Sequence, residues 1–430
     1  MSTSPSIWFL TSEFEGERAG SFRQERWARL FLERGWRVRV FNVRGAFGLA
    51  DIPLTSIAEL DKVRERKAQA PGPKASVREG VLARTLRMAK HLLLVDLYYP
   101  NLFTLARRAS RGIEASEAQV VVMCSSPPFA LAVVGWWLKQ RYPSRVTLCV
   151  DMRDAWALHG ALGGIRPLKC AIERAVLRAA DRVSTVAQGL REEFREYYGV
   201  NAALIYNVAT HYRHTSVPDP MPLEEVSQEA LPGSLRLIYT GSTPVGHYDA
   251  EAIVEGVGRF RDENPDLADR VQLVFVGACE EIAREASRRG RRNPSLVFIP
   301  HLPNDVTRRV QAGADALMFL GHRGPRNSGV VSTKIFEYMA LGIPILPICL
   351  EPLSDVDTLL LRICGRTIHA TNVVTIANLL ASVAREGTQA LPRTTDPAAL
   401  WALCDAYGTF EAELPSSPAR FTDAQVLARG

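Results

Sequence analysis

A chain of 430 residues that is 47% hydrophobic and 23% charged holds too much apolar material to stay disordered and is too long for one ordinary core, so two domains of roughly 200 residues each are expected. Its longest apolar stretches, such as Phe129–Leu138 (FALAVVGWWL), fall short of the roughly 18–20 residues that span a bilayer. The formal charge of +6 is uneven: Lys62–Arg111 carries 12 Lys or Arg against Glu65, Glu79 and Asp96, a local balance of +9, which suits an anionic partner or a solvated helix face.

Short apolar runs alternate with segments of helical period, the pattern of a parallel sheet covered by helices. Ser6–Thr11 reads as the first strand; the run Ile7–Leu10 lacks preceding basic residues, so no signal peptide and a cytoplasmic location are expected. A loop, Ser12–Ser21, an amphipathic helix, Phe22–Arg34, and a strand, Arg37–Asn42, complete one βαβ unit. Strands at Val120–Cys124, Arg145–Val150, Arg182–Thr185 and Ala203–Tyr206 follow. The stretch 211–233, rich in Pro and acidic residues, reads as a linker. The alternation then restarts with Leu235–Thr240, Val271–Val276, Leu296–Ile299, Ala314–Phe319 and Pro344–Ile348. The expected domains are therefore 1–210 and 234–394, with a helical tail, 395–430, packing back on the first. The fold class is α/β, with two doubly wound sheets facing across a cleft and ligands at the strands' carboxyl ends.

Three groups of residues can carry chemistry. Small polar residues in Arg326–Thr333 precede a helix starting near Thr333 or Lys334, and free N–H groups at such a start favour a diphosphate. Glu337, one turn on, is placed to accept a ribose's hydroxyls, although a Lys and a Glu at i, i+3 also suit a weak surface pair. Asp151, Arg153 and Asp154, at the end of the strand RVTLCV, suit a charged cluster in the cleft or a helix cap. Ser125 and Ser126, before two prolines, suit a helix cap more than an acceptor pocket. Seven cysteines, odd in number and never in a CxxC pair, suggest neither a disulfide framework nor a zinc site.

The stretch Ser332–Pro344, STKIFEYMALGIP, resembles the K-x-x-E-Y-M-A-x-G-x-P signature of retaining, nucleotide-sugar-dependent GT-B glycosyltransferases often grouped as family 4. Cys124–Phe129 (CSSPPF) and Val150–Trp156 (VDMRDAW) are similar to elements of its branch that builds bacterial surface polysaccharides. Glu173–Val186, Tyr239–Ser242 and Asp315 resemble further elements in the same order, so the likeness spans about residues 6–350.

That resemblance implies two Rossmann-like domains and a donor site in the second. Glu337 would bind ribose; Ser328, Gly329, Val330, Ser332, Thr333 and Lys334 would hold diphosphate and sugar; Gly241, Ser242 and Gly20 would approach the diphosphate; His301 and Leu302 would meet the base. Asp154, Arg153 and Asp151 would form the catalytic group, with domain closure, acceptor alignment and leaving-group stabilisation in place of an enzymic nucleophile. No metal or other cofactor is implied. Gly329 stands where many relatives carry a first glutamate, and the loop after Gly241 offers only His247 in place of a lysine. The implied acceptor is a lipid-linked saccharide at the inner membrane face, through the basic segment, with a peripheral location; no nucleic-acid partner is expected. Alternatives are a soluble natural-product acceptor, a sugar-nucleotide epimerase and an inactive partner subunit.

Overall fold

The computed structural model describes residues 4–12, 14, 19–43, 49–68, 101–116, 118–158, 165–208, 217–289, 293–323 and 331–414. The chain divides into two compact units, Met1–Tyr206 with Asp405–Gly430, and Asn207–Cys404.

In the first unit, seven strands stand in the order β3-β2-β1-β4-β5-β6-β7. They are β1 (Ser6–Thr11), β2 (Arg37–Val43), β3 (Leu49–Leu54), β4 (Val120–Ser126), β5 (Val146–Met152), β6 (Arg182–Thr185) and β7 (Ala203–Leu204). All neighbours run parallel except β2 and β3. β4 and β5 are buried along their whole length, which is why both read as continuous apolar runs rather than alternating ones. The helices are α1 (Ala19–Glu33), α2 (Ile57–Ala68), α3 (Leu102–Ala115), α4 (Ala130–Arg141), α5 (Arg166–Ala179) and α6 (Gln188–Glu193). Ser125 and Ser126 end β4, and α4 starts after Phe129 with no side-chain cap, so neither serine caps a helix. The antiparallel edge strand β3 goes unforeseen because its run, LADIPL, contains Asp and Pro.

The second unit is a five-stranded, all-parallel sheet in the order β10-β9-β8-β11-β12. Its strands are β8 (Leu235–Thr240), β9 (Val271–Val276), β10 (Leu296–Ile299), β11 (Ala316–Leu320) and β12 (Ile345–Ile348). Its helices are α7 (Ala250–Glu263), α8 (Glu280–Arg288), α9 (Asn304–Ala312), α10 (Thr333–Leu341), α11 (Asp355–Cys364), α12 (Val373–Glu386) and α13 (Pro397–Ala402). The described part of the expected linker, 217–233, is fastened to this unit. Met221 N–H donates to Arg309 O at 2.9 Å, Leu231 N–H donates to Gln272 Oε1 at 2.9 Å, and Leu223 is buried.

The chain re-enters the first unit at Asp405, beyond the expected start of the tail, through α14 (Asp405–Ala412). Tyr407 and Phe410 lie 4.5 and 5.2 Å from the Trp27 ring, and Trp36 Nε1 donates to Glu411 at 2.7 Å. Burial of the two rings contributes about 1.5–3 kcal/mol each to holding α14 in place.

At the centre of this unit lies an ion pair. Arg23 of α1 is almost fully buried and donates to both Asp151 oxygens at 2.6 and 2.8 Å, to Ile205 O at 2.8 Å and to the Tyr407 hydroxyl at 3.0 Å. Ser184 Oγ adds a third donor to Asp151 at 2.6 Å. Burial alone would raise the Asp151 carboxyl, but the charge and hydrogen bonds of Arg23 hold it below its ordinary range. β5 runs on to Met152, so Asp151 sits inside the strand, enclosed by α1, and takes no part in an exposed catalytic cluster.

Asp151→Ala strands the Arg23 charge in the interior and is expected to destabilise the first unit by about 3–5 kcal/mol, whereas Tyr407→Phe should cost only about 0.5–1.5 kcal/mol. Urea unfolding followed by tryptophan fluorescence measures both, and an Asp151→Ala protein with the parent's midpoint contradicts this account.

Candidate functional site

In a doubly wound sheet, ligands gather beyond the carboxyl ends of the strands where the strand order reverses. In the second unit that point lies between β8 and β11. Two glycines there bring backbone into close contact. A Cβ on Gly241, which has φ +131°, would crowd the Lys334 ammonium, and a Cβ on Gly277, which has φ +117°, would crowd Gly241 O. Conformation requires glycine at both positions, and at Gly277 the facing backbone also leaves no space for a Cβ.

Helix α10 opens at this point. Ser332 is its N-cap, accepting from Lys334 N–H at 3.4 Å, and Gly342 ends it in the left-handed conformation. Ile335, Phe336, Tyr338 and Met339 are buried, which leaves Lys334 and Glu337, three residues apart, half-buried on one side. Lys334 Nζ lies 4.4 Å over the Tyr239 ring and donates to its hydroxyl at 2.9 Å; that hydroxyl in turn donates to Ser242 O at 2.8 Å. Burial pushes the Lys334 ammonium down to about 8 and raises the Glu337 carboxyl, against the charges of Arg308 and Lys334. Glu337 has no hydrogen-bond partner among the described residues. A cation held without a paired carboxylate, beside a carboxylate with open acceptor sites, can bind an anionic group and adjacent hydroxyls together.

His322 closes the third side. It follows β11, stacks on Tyr248 at 4.9 Å and stands 6.3 Å from the His247 ring. Burial, helped by the charges of His247 and Lys334, pushes its imidazole down to about 4. Motif reading misses this histidine, although its place just past the apolar run ALMFL marked it as a strand-end residue. His301, exposed, and Leu302, half-buried, follow β10. Thr333 is the first residue of α10 and Ser242 is exposed after β8. Ser328, Gly329 and Val330 lie outside the described residues. A separate cavity of about 690 Å³, lined by Leu231, Ala286 and Phe298 among others, opens beside β10, away from this group.

In the first unit the strand order reverses between β1 and β4. Beyond β5, Arg153 N–H donates to Ser126 O and its guanidinium to Pro127 O, both at 3.0 Å, and Asp154 is exposed. The next turn is anchored by Glu173 of α5, which accepts from Trp156 N–H at 2.9 Å, Ala157 N–H at 3.2 Å and the Tyr198 hydroxyl at 2.6 Å. Trp156 stacks on Phe129 at 4.5 Å and carries Lys169 Nζ 4.9 Å over its ring. Arg153 and Asp154 therefore project from a backbone fixed on both sides, while Asp151 faces inward. Gly20 lies in the first turn of α1 rather than in a loop.

Residues 21–207 match a family model described as "Glycosyl transferase 4-like domain". The first unit carries a glycosyl transferase 4-like domain. No curated protein matches the chain in sequence. Among solved structures it is similar to alpha,alpha-trehalose 6-phosphate synthase from Burkholderia multivorans, at 12% identity over 99% of both chains with a TM-score of 0.60. It is also similar to TarM, at 7% identity over 94% of this chain and 95% of that one with a TM-score of 0.57. A third is S. aureus MnaA in complex with UDP, at 10% identity over 97% and 99% with a TM-score of 0.51. At these identities the likeness establishes the fold: the glycosyl transferase 4-like domain is one of two Rossmann-like units of a GT-B chain.

The ammonium of Lys334 makes binding of a diphosphate depend on pH. Affinity for a nucleoside diphosphate is expected to fall as pH rises through about 8, where Lys334 loses its proton. The ligand-free second unit should gain stability as pH rises from about 8 to 10.5, because the unfolded chain keeps that proton up to the ordinary value while the folded one has released it. Calorimetric titration between about pH 7 and about pH 9 tests the first effect, and an affinity constant across that range contradicts it.

Proposed function

We propose that this GT-B chain transfers a sugar from a nucleotide-diphosphate sugar to an acceptor hydroxyl with retention of configuration. The observation that carries the reading is the juxtaposition of Lys334 and Glu337 at the start of α10, beside the close-packed Gly241. Lys334 and the N-terminal dipole of α10 meet the diphosphate, and Glu337 accepts the ribose hydroxyls. As the bond to the sugar breaks, the same groups stabilise charge developing on the leaving diphosphate. Asp154, held between the anchors at Ser126 and Glu173, receives the acceptor hydroxyl, with Arg153 beside it. The match of the first unit to a glycosyl transferase model favours transfer over epimerisation of the sugar nucleotide.

The acceptor is a lipid-linked saccharide of surface polysaccharide or glycoconjugate synthesis, met at an anionic membrane face. Support comes from the +9 balance of Lys62–Arg111, most of which, 69–100, lies outside the described residues. Its described end, α3, buries Leu105, Ala109 and Ile113 and exposes Phe103, Arg107, Arg108 and Arg111. Such a helix face can lay an aromatic ring among anionic headgroups while its arginines meet their charge. No described helix is long and apolar enough to cross a membrane.

Incubation with a panel of nucleotide sugars, with and without lipid-linked acceptors, tests the reaction. Glu337→Ala is expected to weaken binding of nucleotide sugar and free nucleoside diphosphate by about 1–3 kcal/mol without unfolding the protein. Asp154→Asn should leave donor affinity intact and lower turnover at least about tenfold. Unchanged nucleotide affinity in the first variant removes the ribose assignment, and parental turnover in the second removes Asp154 from catalysis. Sedimentation with vesicles should show binding that requires anionic lipid and weakens with salt; absence of binding to anionic vesicles at low salt rejects the membrane face alone.

A further inference from the structure

Among the described residues at the switch point of the second unit, few side chains carry positive charge for the ligand assigned to them. A nucleotide sugar presents two anionic phosphates. Among the described residues, Lys334 supplies one full charge and the start of α10 adds roughly half of another, while Arg308 lies near Glu337. No Lys or Arg stands in the loop from Gly241 to Asp249, and the basic side chain there is His247. The fold brings a second imidazole to this loop, because His322, remote in sequence, lies against it. The His322 ring stacks on Tyr248 at 4.9 Å and lies 6.3 Å from that of His247. Arg323 N–H donates to His247 O at 2.7 Å, which ties the end of β11 to the loop after β8.

Among the described residues, neither imidazole has a counter-charge. On the loop after β8, the Asp249 carboxylate is engaged as the N-cap of α7, accepting from Ala252 N–H at 3.1 Å. From α8, Glu281 accepts from Gly246 N–H at 2.7 Å. α10 presents Lys334, Cys349 follows β12, and Arg323, next to His322, is exposed. Neither histidine has an ion pair among the described residues. A half-buried imidazole near cations stays neutral, and a dianion placed among the same groups reverses that balance.

We propose that His322, with His247 beside it, binds the donor's diphosphate, and that His322 takes up a proton as the nucleotide sugar enters, completing a set of cationic groups that Lys334 begins. This rests on the donor site proposed above. Lys334 is already protonated below about 8, so uptake near pH ~6.5 reports His322 and not the ammonium. A nucleotide sugar is the suitable probe, because its diphosphate does not itself titrate near neutrality. Linkage requires the affinity to fall with rising pH, by at most about tenfold per unit for the one ring, between the free and bound ionisations.

The full-length protein is titrated calorimetrically with UDP-, GDP- and ADP-glucose, in two buffers of unlike ionisation enthalpy at about pH 6.5, and the tightest ligand is followed from about pH 5.5 to about pH 7.5. The expected result is uptake of about 0.5–1 proton per ligand and an affinity that declines across this range. His322→Asn should lower both the uptake and the pH dependence by at least about half. Binding without proton uptake overturns the proposal and leaves the donor site standing, as does uptake unchanged in His322→Asn. Failure of every nucleotide sugar to bind overturns the donor site as well. If His322→Asn does not fold, the parent protein decides by itself, through its proton uptake and through the movement of a histidine ring resonance on adding ligand.

Discussion

The donor-side group depends on a close approach that only glycine allows. With no side chain on Gly241, the Lys334 ammonium reaches the end of β8, and with none on Gly277, the end of β9 packs against the carbonyl of Gly241. These contacts set the start of α10 against the sheet, so that its N-terminus, Lys334 and Glu337 share one small region. Any side chain at Gly241 would displace the lysine from the Tyr239 ring and scatter groups that act by being close together.

The two units use the same architecture with different means of holding it. In the second, the carboxyl ends of the strands are joined by backbone, as in Gly241 N–H to Val276 O and Gly277 N–H to Ile299 O. The first instead buries a charged pair. Arg23 and Asp151 link α1 to β5, and the Tyr407 hydroxyl brings the returning α14 into the same network. A buried pair of this kind costs desolvation and is retained when each remaining donor and acceptor is satisfied. Glu173 serves a related purpose nearby, where its buried carboxylate fixes the turn that follows Asp154.

Much of the architecture was legible because parallel strands buried on both faces leave short continuous apolar runs, and Ser6–Thr11, Leu235–Thr240, Val271–Val276 and Leu296–Ile299 have the bounds read from the sequence. The start of α10 was legible for a local reason, a Ser N-cap before a helical period closed by Gly342. The strand β3 was not, since pairing with β2 outweighs the Asp and Pro in LADIPL. Nor was the packing of 217–233, whose few apolar residues, Met221 and Leu223 among them, find their partners only on another part of the chain.

The sequence by itself determined the alternation of strand and helix, the glycines at strand ends and the spacing of Lys334 and Glu337, all of which depend on neighbours within a turn or a strand. Tertiary structure decided which charged residues face inward and which outward. Asp151 and Asp154 are near neighbours and alike in chemistry, yet β5 continues through the first into contact with Arg23, 128 positions earlier, and stops before the second. His322 met His247 by the same route, through the pairing of β8 with β11. Burial and charge environment are set by such distant contacts, and no local pattern of residues encodes them.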